Sequence, residues 1–301
     1  MIRLYISGFR EKRARLFSEK TKARILLYPS LLGVIVFFVV PFIAIVYYSV
    51  IDNSFSRAFV GGDNFRALLQ NEAFRLAVRN TTVFSCIAVP LTMVLSLLLA
   101  SALECRIPAK GKFRALFLSP MMVPVASIVL IWQVLFHQNG TVNALLEWMH
   151  LQPINWLRTD GYDQAVVILL FLWKNVGYNV LLFSAALGNI PREPLESAEI
   201  DGAGAFRRFW SIKLRYLSST ILFVTILTLA NSFKIFREVY LLVGNYPNDD
   251  LYMLQHFLNN TFRTLDYQKL SAATVLVTVV LTLILAVLFW LEERFEREVE
   301  E

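Results

Sequence analysis

Cysteine is almost missing from this 301-residue chain, with Cys86 and Cys105 the only two. Along one helix their separation in sequence corresponds to roughly 28 Å at 1.5 Å per residue, far outside disulfide reach. A disulfide scaffold, a thiol redox pair and a cysteine-ligated zinc site are therefore excluded. Histidine is almost as scarce, and His137, His150 and His256 are too scattered to form a metal site. Only 12 Gly and 10 Pro leave no room for a collagen-like repeat. Charge is low as well: 17% of residues against about 25% in soluble domains. With 56% hydrophobic residues and 24 Phe, that shortage excludes both disorder and an ordinary soluble globule. No nucleophile and base stand in a catalytic arrangement, so the chain is not expected to be an enzyme. A P-loop is missing too. Gly111-Lys112 is followed by Phe113, and Arg106 stands where the first glycine of G-x-x-x-x-G-K-[ST] belongs.

What the chain does have is long apolar runs. Six of them, at about 25–51, 83–103, 115–136, 165–187, 220–243 and 271–291, can each cross about 30 Å of hydrocarbon. The expected fold is all-α, a polytopic membrane protein with six transmembrane helices. The run at 25–51 is too long for a signal-peptide core and no small-residue cleavage site follows it, so it reads as a retained span. Basic residues set the orientation. Nineteen of the 29 Lys+Arg fall on one side, in the arm 1–24, the loop after the second run, residues 188–217 and the tail 292–301. The opposite loops hold seven, and three lie inside spans. Both termini are thus expected in the cytoplasm. The net charge of +6 is a matter of topology, and nucleic-acid binding falls away. Pro29, Pro41, Pro90, Pro120 and Pro124 lie inside runs, where they read as packing kinks that a helix bundle tolerates.

One polar segment, 188–217, is dense with local instructions. Pro194 suits the first position of a helix, and Glu196, two residues on, a helix N-terminus. Gly202 and Gly204 allow a reversal at positive φ, and Phe206, Phe209, Trp210 and Ile212 then alternate with Arg207, Arg208 and Lys213. A helix, a sharp turn and a second helix on the cytoplasmic face are predicted.

The residues Glu196-Ser197-Ala198-x-x-Asp201-Gly202-Ala203, followed by Phe209, Ile212 and Leu214, resemble the EAA loop of binding-protein-dependent ABC importers. The likeness is greatest to the permease subunits of the maltose-type carbohydrate family. Ile190-Pro191, Asn80–Thr82 before the second span and Trp173-Lys174-Asn175-x-Gly177 are similar to that family too, so the resemblance runs from the first span to the last. Three positions depart from the pattern: Ser197 in place of alanine, and Arg215 and Ser219 where prolines are usual. The resemblance implies a type I importer permease fold in a bacterial-type cytoplasmic membrane. It implies that 196–214 docks on separate ATP-binding cassette subunits, which hold the ATP and magnesium, while this chain binds no cofactor. The further partners it implies are a second, non-identical permease, an extracytoplasmic solute-binding protein, a sugar cargo and membrane lipid.

Polar residues inside spans are functional-site candidates. Lys174 and Lys234 each lie roughly 14 Å deep at 1.5 Å per residue. Asn231, Lys234 and Glu238 share a helical face at i, i+3, i+7, and Glu238 stands one turn from Lys234. Asn175 and Asn179 share another face near Trp173 and Tyr178, with Trp132 and Gln133 on the third span. Amides and aromatic faces suit a hydroxyl-rich sugar, and a neutral oligosaccharide is the expected cargo. With Glu238 answering Lys234, Lys174 is the lysine left over, and it would suit a sugar carrying carboxylate or phosphate. The same lysines and Glu238 also admit a second function, a self-contained secondary carrier coupling ions to solute. Such carriers usually show internal repeats, and the halves 1–150 and 151–301 do not match.

Overall fold

The computed structural model describes residues 19–104 and 110–300. Most of the expected N-terminal arm, together with Cys105 and Arg106, lies outside them. Among the described residues the chain is helical, with one isolated antiparallel bridge between Ile51 and Phe59. Five segments are long and apolar enough to cross a membrane: Leu26–Ser49, Glu72–Glu104, Tyr162–Gly188, Ser218–Val243 and Tyr267–Arg294. A bent pair, Ala115–Met122 and Val125–Leu135, supplies the sixth. The chain divides into two compact units, one of residues 19–66 with 267–275, the other of 67–266 with 276–300.

In the first unit, α1 (Glu19–Val34) continues through a π turn, Ile35–Val39, into α2 (Val40–Ser49). The π turn sits just before Pro41, which lacks an N–H and crowds the carbonyl four residues back, and the wider turn accommodates both defects. Asn64 Nδ2 donates to the carbonyls of Ser49 at 3.0 Å and Ile51 at 2.8 Å, pinning the outer loop to the end of α2. Phe37 and Phe38 are exposed, as lipid-facing side chains must be.

The second unit holds α4 (Glu72–Glu104), α5 (Lys110–Met122), α6 (Val125–Leu135), α8 (Tyr162–Gly188), α12 (Ser218–Phe233) and α13 (Phe236–Val243), with α8 packed against α4, α5 and α12. Short helices α7 (Thr141–Trp148) and α14 (Leu254–Arg263) also belong to it, while α3 (Asp63–Gln70) and α15 (Tyr267–Glu300) each run from the first unit into the second along the chain. One apolar cluster joins Phe84, Ile128, Val167, Phe171 and Val239, and another joins Ala100, Val180, Phe183 and Val224.

Two spans differ from their expected form. The third is not one kinked helix. It turns by 101° between α5 and α6, because Val123 precedes a proline and Pro124 takes ψ 138° as the N-cap of α6. The fifth is interrupted at Lys234 and Ile235. By contrast, Pro29, Pro90 and Pro120 stay inside continuous helices. The second span begins at Glu72 rather than near 83, because its outer turns bury Phe74 and Ala77. Phe74 meets Phe257 of α14 edge-on at 5.2 Å.

Outer connections are fastened by amides. Asn80 Nδ2 donates to the carbonyls of Asp249 and Tyr252, and Thr81 Oγ1 accepts from the Leu254 N–H at 2.8 Å. Those two residues of the Asn-Thr-Thr motif thereby tie residues 249–254 to α4. Buried Asn143 donates to Gln138 and Ile154 carbonyls at 2.8 Å and accepts from Ile154 N–H and Trp156 Nε1. In a chain freed of Cys86 and Cys105, a cysteine at Asn245 is expected to react with an impermeant reagent added outside intact cells, and one at Arg208 is not. The reverse labelling pattern would overturn the orientation.

Candidate functional site

A cavity of about 810 Å³ opens where α5, α6, α8, α12, α13 and the start of α14 meet. Its polar lining comes from Lys174, Asn175, Asn231, Lys234, Arg237 and Glu238. The interruption of the fifth span builds this wall. Lys234 and Ile235 end α12 and start α13, so the break and the first turn of α13 all border the cavity. The sequence places Asn231, Lys234 and Glu238 on one continuous helical face. Here the helix is broken between them, yet all three reach the same space.

The ion pairing is also rearranged. Glu238 is buried and pairs with Lys174 across two helices, not with Lys234 on its own span. Its Oε2 is buried and has no donor among the described residues. Lys234 and Arg237 are exposed and form no ion pair among the described residues. Asn175 donates to the Phe171 carbonyl at 2.8 Å and accepts from Asn231 Nδ2 at 2.9 Å, which links α8 to α12 at the cavity wall.

The other candidates lie elsewhere. Asn179 donates to Thr228 Oγ1 at 2.9 Å inside the helix contact. Trp132 is buried, stacked on Phe136 at 5.2 Å with Trp173 at 6.2 Å, so it belongs to the apolar core and is no platform at this cavity. Half-buried Tyr178 does not line it either. Gln133 donates to the carbonyls of Leu241 and Leu242 at 3.1 Å, and borders a second, outer cavity of about 1110 Å³. Arg237, Tyr240 and Gln255 line the first cavity although their sequence positions did not single them out. Arg237 was the legible one, as a charge inside an apolar run. Behind this wall His256 is fully buried with its ring 4.7 Å from Phe236, and burial lowers its pKa to about 4. It is neutral at physiological pH and adds no charge.

On the basic side, α9 (Arg192–Ile200) begins at Arg192, two residues earlier than the Pro194 start expected from the sequence, and ends in a glycine cap. Gly202 takes φ +78°, its N–H donates to Glu199 O at 3.0 Å, and Ala203 N–H reaches back to Ala198 O at 2.8 Å. Gly204 has φ −65°, so only the first of the two glycines is needed for the reversal. The chain returns through α10 (Ala205–Arg208), a π turn Phe209–Lys213 and α11 (Leu214–Tyr216), then enters α12 after Leu217. An Arg208–Glu199 ion pair straps the two arms, and Lys213 pairs with Glu104 of α4. Phe209, Ile212 and Leu214 are half-buried, whereas Glu196, Ser197 and Asp201 are exposed. Ile200, Phe206 and Trp210 are left 87%, 78% and 57% exposed at the tip. An apolar patch on a polar loop, in a chain with no covering element there among the described residues, is shaped for a partner.

Residues 109–301, more than half of the chain, match the family of binding-protein-dependent transport system inner membrane components. The chain belongs to that family. This inner membrane component is similar to a trehalose/maltose transport system permease protein of Thermococcus litoralis, 29% identical across 94% of this chain and 97% of the relative. It is 30% identical to an sn-glycerol-3-phosphate transport system permease protein of Agrobacterium fabrum, over 92% of this chain and 97% of that one. Its fold matches the crystal structure of a bacterial ABC transporter involved in import of the acidic polysaccharide alginate, at TM-score 0.80 and 21% identity, covering 93% of this chain and 99% of that one. An inner membrane component of such a system is a multi-pass plasma-membrane permease that works with a binding protein and other transporter subunits. The secondary-carrier alternative is set aside: the lysines and Glu238 belong to an importer subunit, not to a self-contained ion-coupled carrier.

Proposed function

We propose that this permease passes an oligosaccharide-class solute inward through the cavity bounded by α8, α12 and α13. ATP hydrolysis on a separate subunit would drive it through the 196–214 loop. The observation that carries the coupling role is the glycine-capped hairpin with Ile200, Phe206 and Trp210 turned outward. A rigid, strapped loop of this kind transmits a push, where a floppy one would absorb it. Glu196 and Asp201 stand exposed beside the apolar patch, available for charge-assisted contacts with the ATPase. The carbohydrate assignment is supported by the trehalose and maltose for which the Thermococcus relative is named and by a cavity that combines amides, charges and the rings of Phe171, Phe236 and Tyr240. The Pro124 bend and the Lys234 break are suited to a bundle that opens on alternate sides. ATP and magnesium would be held by the partner ATPase, and the second permease is proposed to be a non-identical chain.

Gly202→Val forces a β-carbon into a left-handed position, at about 1–2 kcal/mol, and Glu196→Ala removes an exposed carboxylate from the docking face. Each variant is expected to cut ATP-driven uptake into proteoliposomes by about tenfold or more while the chain still inserts. Uptake equal to the parent in both would remove the loop from the coupling path.

A further inference from the structure

We infer that the cargo carries a negative charge, a sugar bearing carboxylate or phosphate, received by Lys234 and Arg237 at the break in the fifth span. This rests on the import assignment above and narrows its substrate class.

The charges lining the cavity are three cations and one carboxylate. Lys174 and Glu238 neutralise each other in their ion pair. Lys234 and Arg237 remain, both exposed, both on the cavity wall, with no anion opposite them among the described residues. His256 cannot enter the balance, because it is buried and neutral. Neither hydrogen bonds nor ion pairs among the described residues occupy the two cationic side chains. Cations within an apolar span are costly and persist where something polar answers them.

The break in the span brings these side chains together at the wall. The break starts α13 at Phe236, and Lys234 through Glu238, the break and the first turn, all border the cavity. An ammonium and a guanidinium donor on one wall form a receptor for an oxyanion, while Asn175, Asn231 and the rings of Phe171 and Tyr240 are left for hydroxyls and ring faces. The volume of about 810 Å³ lies within the usual range for a small-molecule site, roughly 300–1,000 Å³.

The complete importer, reconstituted in proteoliposomes with the solute-binding protein that co-purifies with it, is offered three radiolabelled probes: a short oligouronate, a sugar phosphate and a neutral maltooligosaccharide. Uptake of an anionic probe is expected, and whether the uronate or the phosphate enters identifies the oxyanion. The Lys234→Gln/Arg237→Gln double variant should lose about tenfold or more of that uptake, whereas Lys234→Arg/Arg237→Lys should keep it. Uptake of the neutral probe alone overturns the charge assignment and leaves the carbohydrate importer standing. Transport of none of the three, with ATP hydrolysis intact, overturns the carbohydrate class itself and this inference with it. Anionic uptake that the glutamine variant leaves untouched also overturns the inference. So does a glutamine variant that no longer co-purifies with its partner subunits, since the cations would then be answered by another chain.

Discussion

Gly177→Val is expected to abolish recovery of the folded permease from membranes. Gly177 lies on α8 where α5 crosses it, and an added β-carbon would fall on the Phe117 carbonyl oxygen, 2.7 Å from that carbonyl's carbon and 3.1 Å from its Cα. All three obstacles are backbone, so no side chain can swing aside. Overpacking a tight contact costs typically about 1–3 kcal/mol, and this contact is backbone on backbone, the arrangement that small residues create between membrane helices. Even Gly177→Ala should separate α5 from α8 and loosen the cavity wall. Gly188, in the last turn of α8, is the matched control: a β-carbon added there would meet nothing within 4 Å, and Gly188→Ala should behave as the parent. Fluorescence-detected size exclusion of detergent extracts reads both. A monodisperse Gly177→Val peak of parental height would show that the helices are not in this contact.

Removing one member of the Lys174–Glu238 pair should have the next largest effect. Lys174→Met leaves a buried carboxylate with no cation, and one of its oxygens already has no donor among the described residues. Breaking a buried pair costs about 3–5 kcal/mol. Lys174 keeps 28% side-chain exposure, which puts the expectation at the low end. At about 2–4 °C per kcal/mol for a chain of this order, the loss is a fall in melting temperature on the order of 6–12 °C. The double variant Lys174→Met/Glu238→Met should recover most of it, since well-packed apolar residues often replace a buried pair at little cost. Additive losses in the double-variant cycle would show that the two side chains do not interact.

This pairing illustrates where inference from sequence stopped. Helical spacing made Lys234 the natural partner of Glu238, since residues one turn apart on a continuous helix meet. The continuity was the assumption that failed. Neither Lys234 nor Ile235 is a helix breaker, so nothing local announced the interruption, and it arises where α13 turns to pack on α6. Asn179 and Gln133 show the same limit. Both are polar residues in apolar runs, and both serve helix contacts, Asn179 with Thr228 and Gln133 with the carbonyls of Leu241 and Leu242. Composition cannot tell an amide that faces a cavity from one that faces a neighbouring helix, because the difference lies in the rotation of the helix about its axis. Arg237 was visible as an intramembrane charge, but its place on the cavity wall depended on that rotation too.

That the chain carries several apolar helices long enough to cross a membrane followed from the sequence alone, because hydrocarbon thickness demands about 20 apolar residues and tolerates few charges among them. The capped hairpin at Gly202 also followed locally, since a helix that must reverse within a few residues requires a position at positive φ that glycine fills without strain. The resemblance at 196–214 rested on the same kind of short, contiguous pattern. Tertiary structure alone decided the 101° turn of the third span, the partner of Glu238, the burial of Trp132 and the gathering of Lys234 and Arg237 at one cavity. Each of these brings together residues distant along the chain or sets the angle between successive helices. Such outcomes depend on how helix faces pack against one another, which no local spacing rule contains.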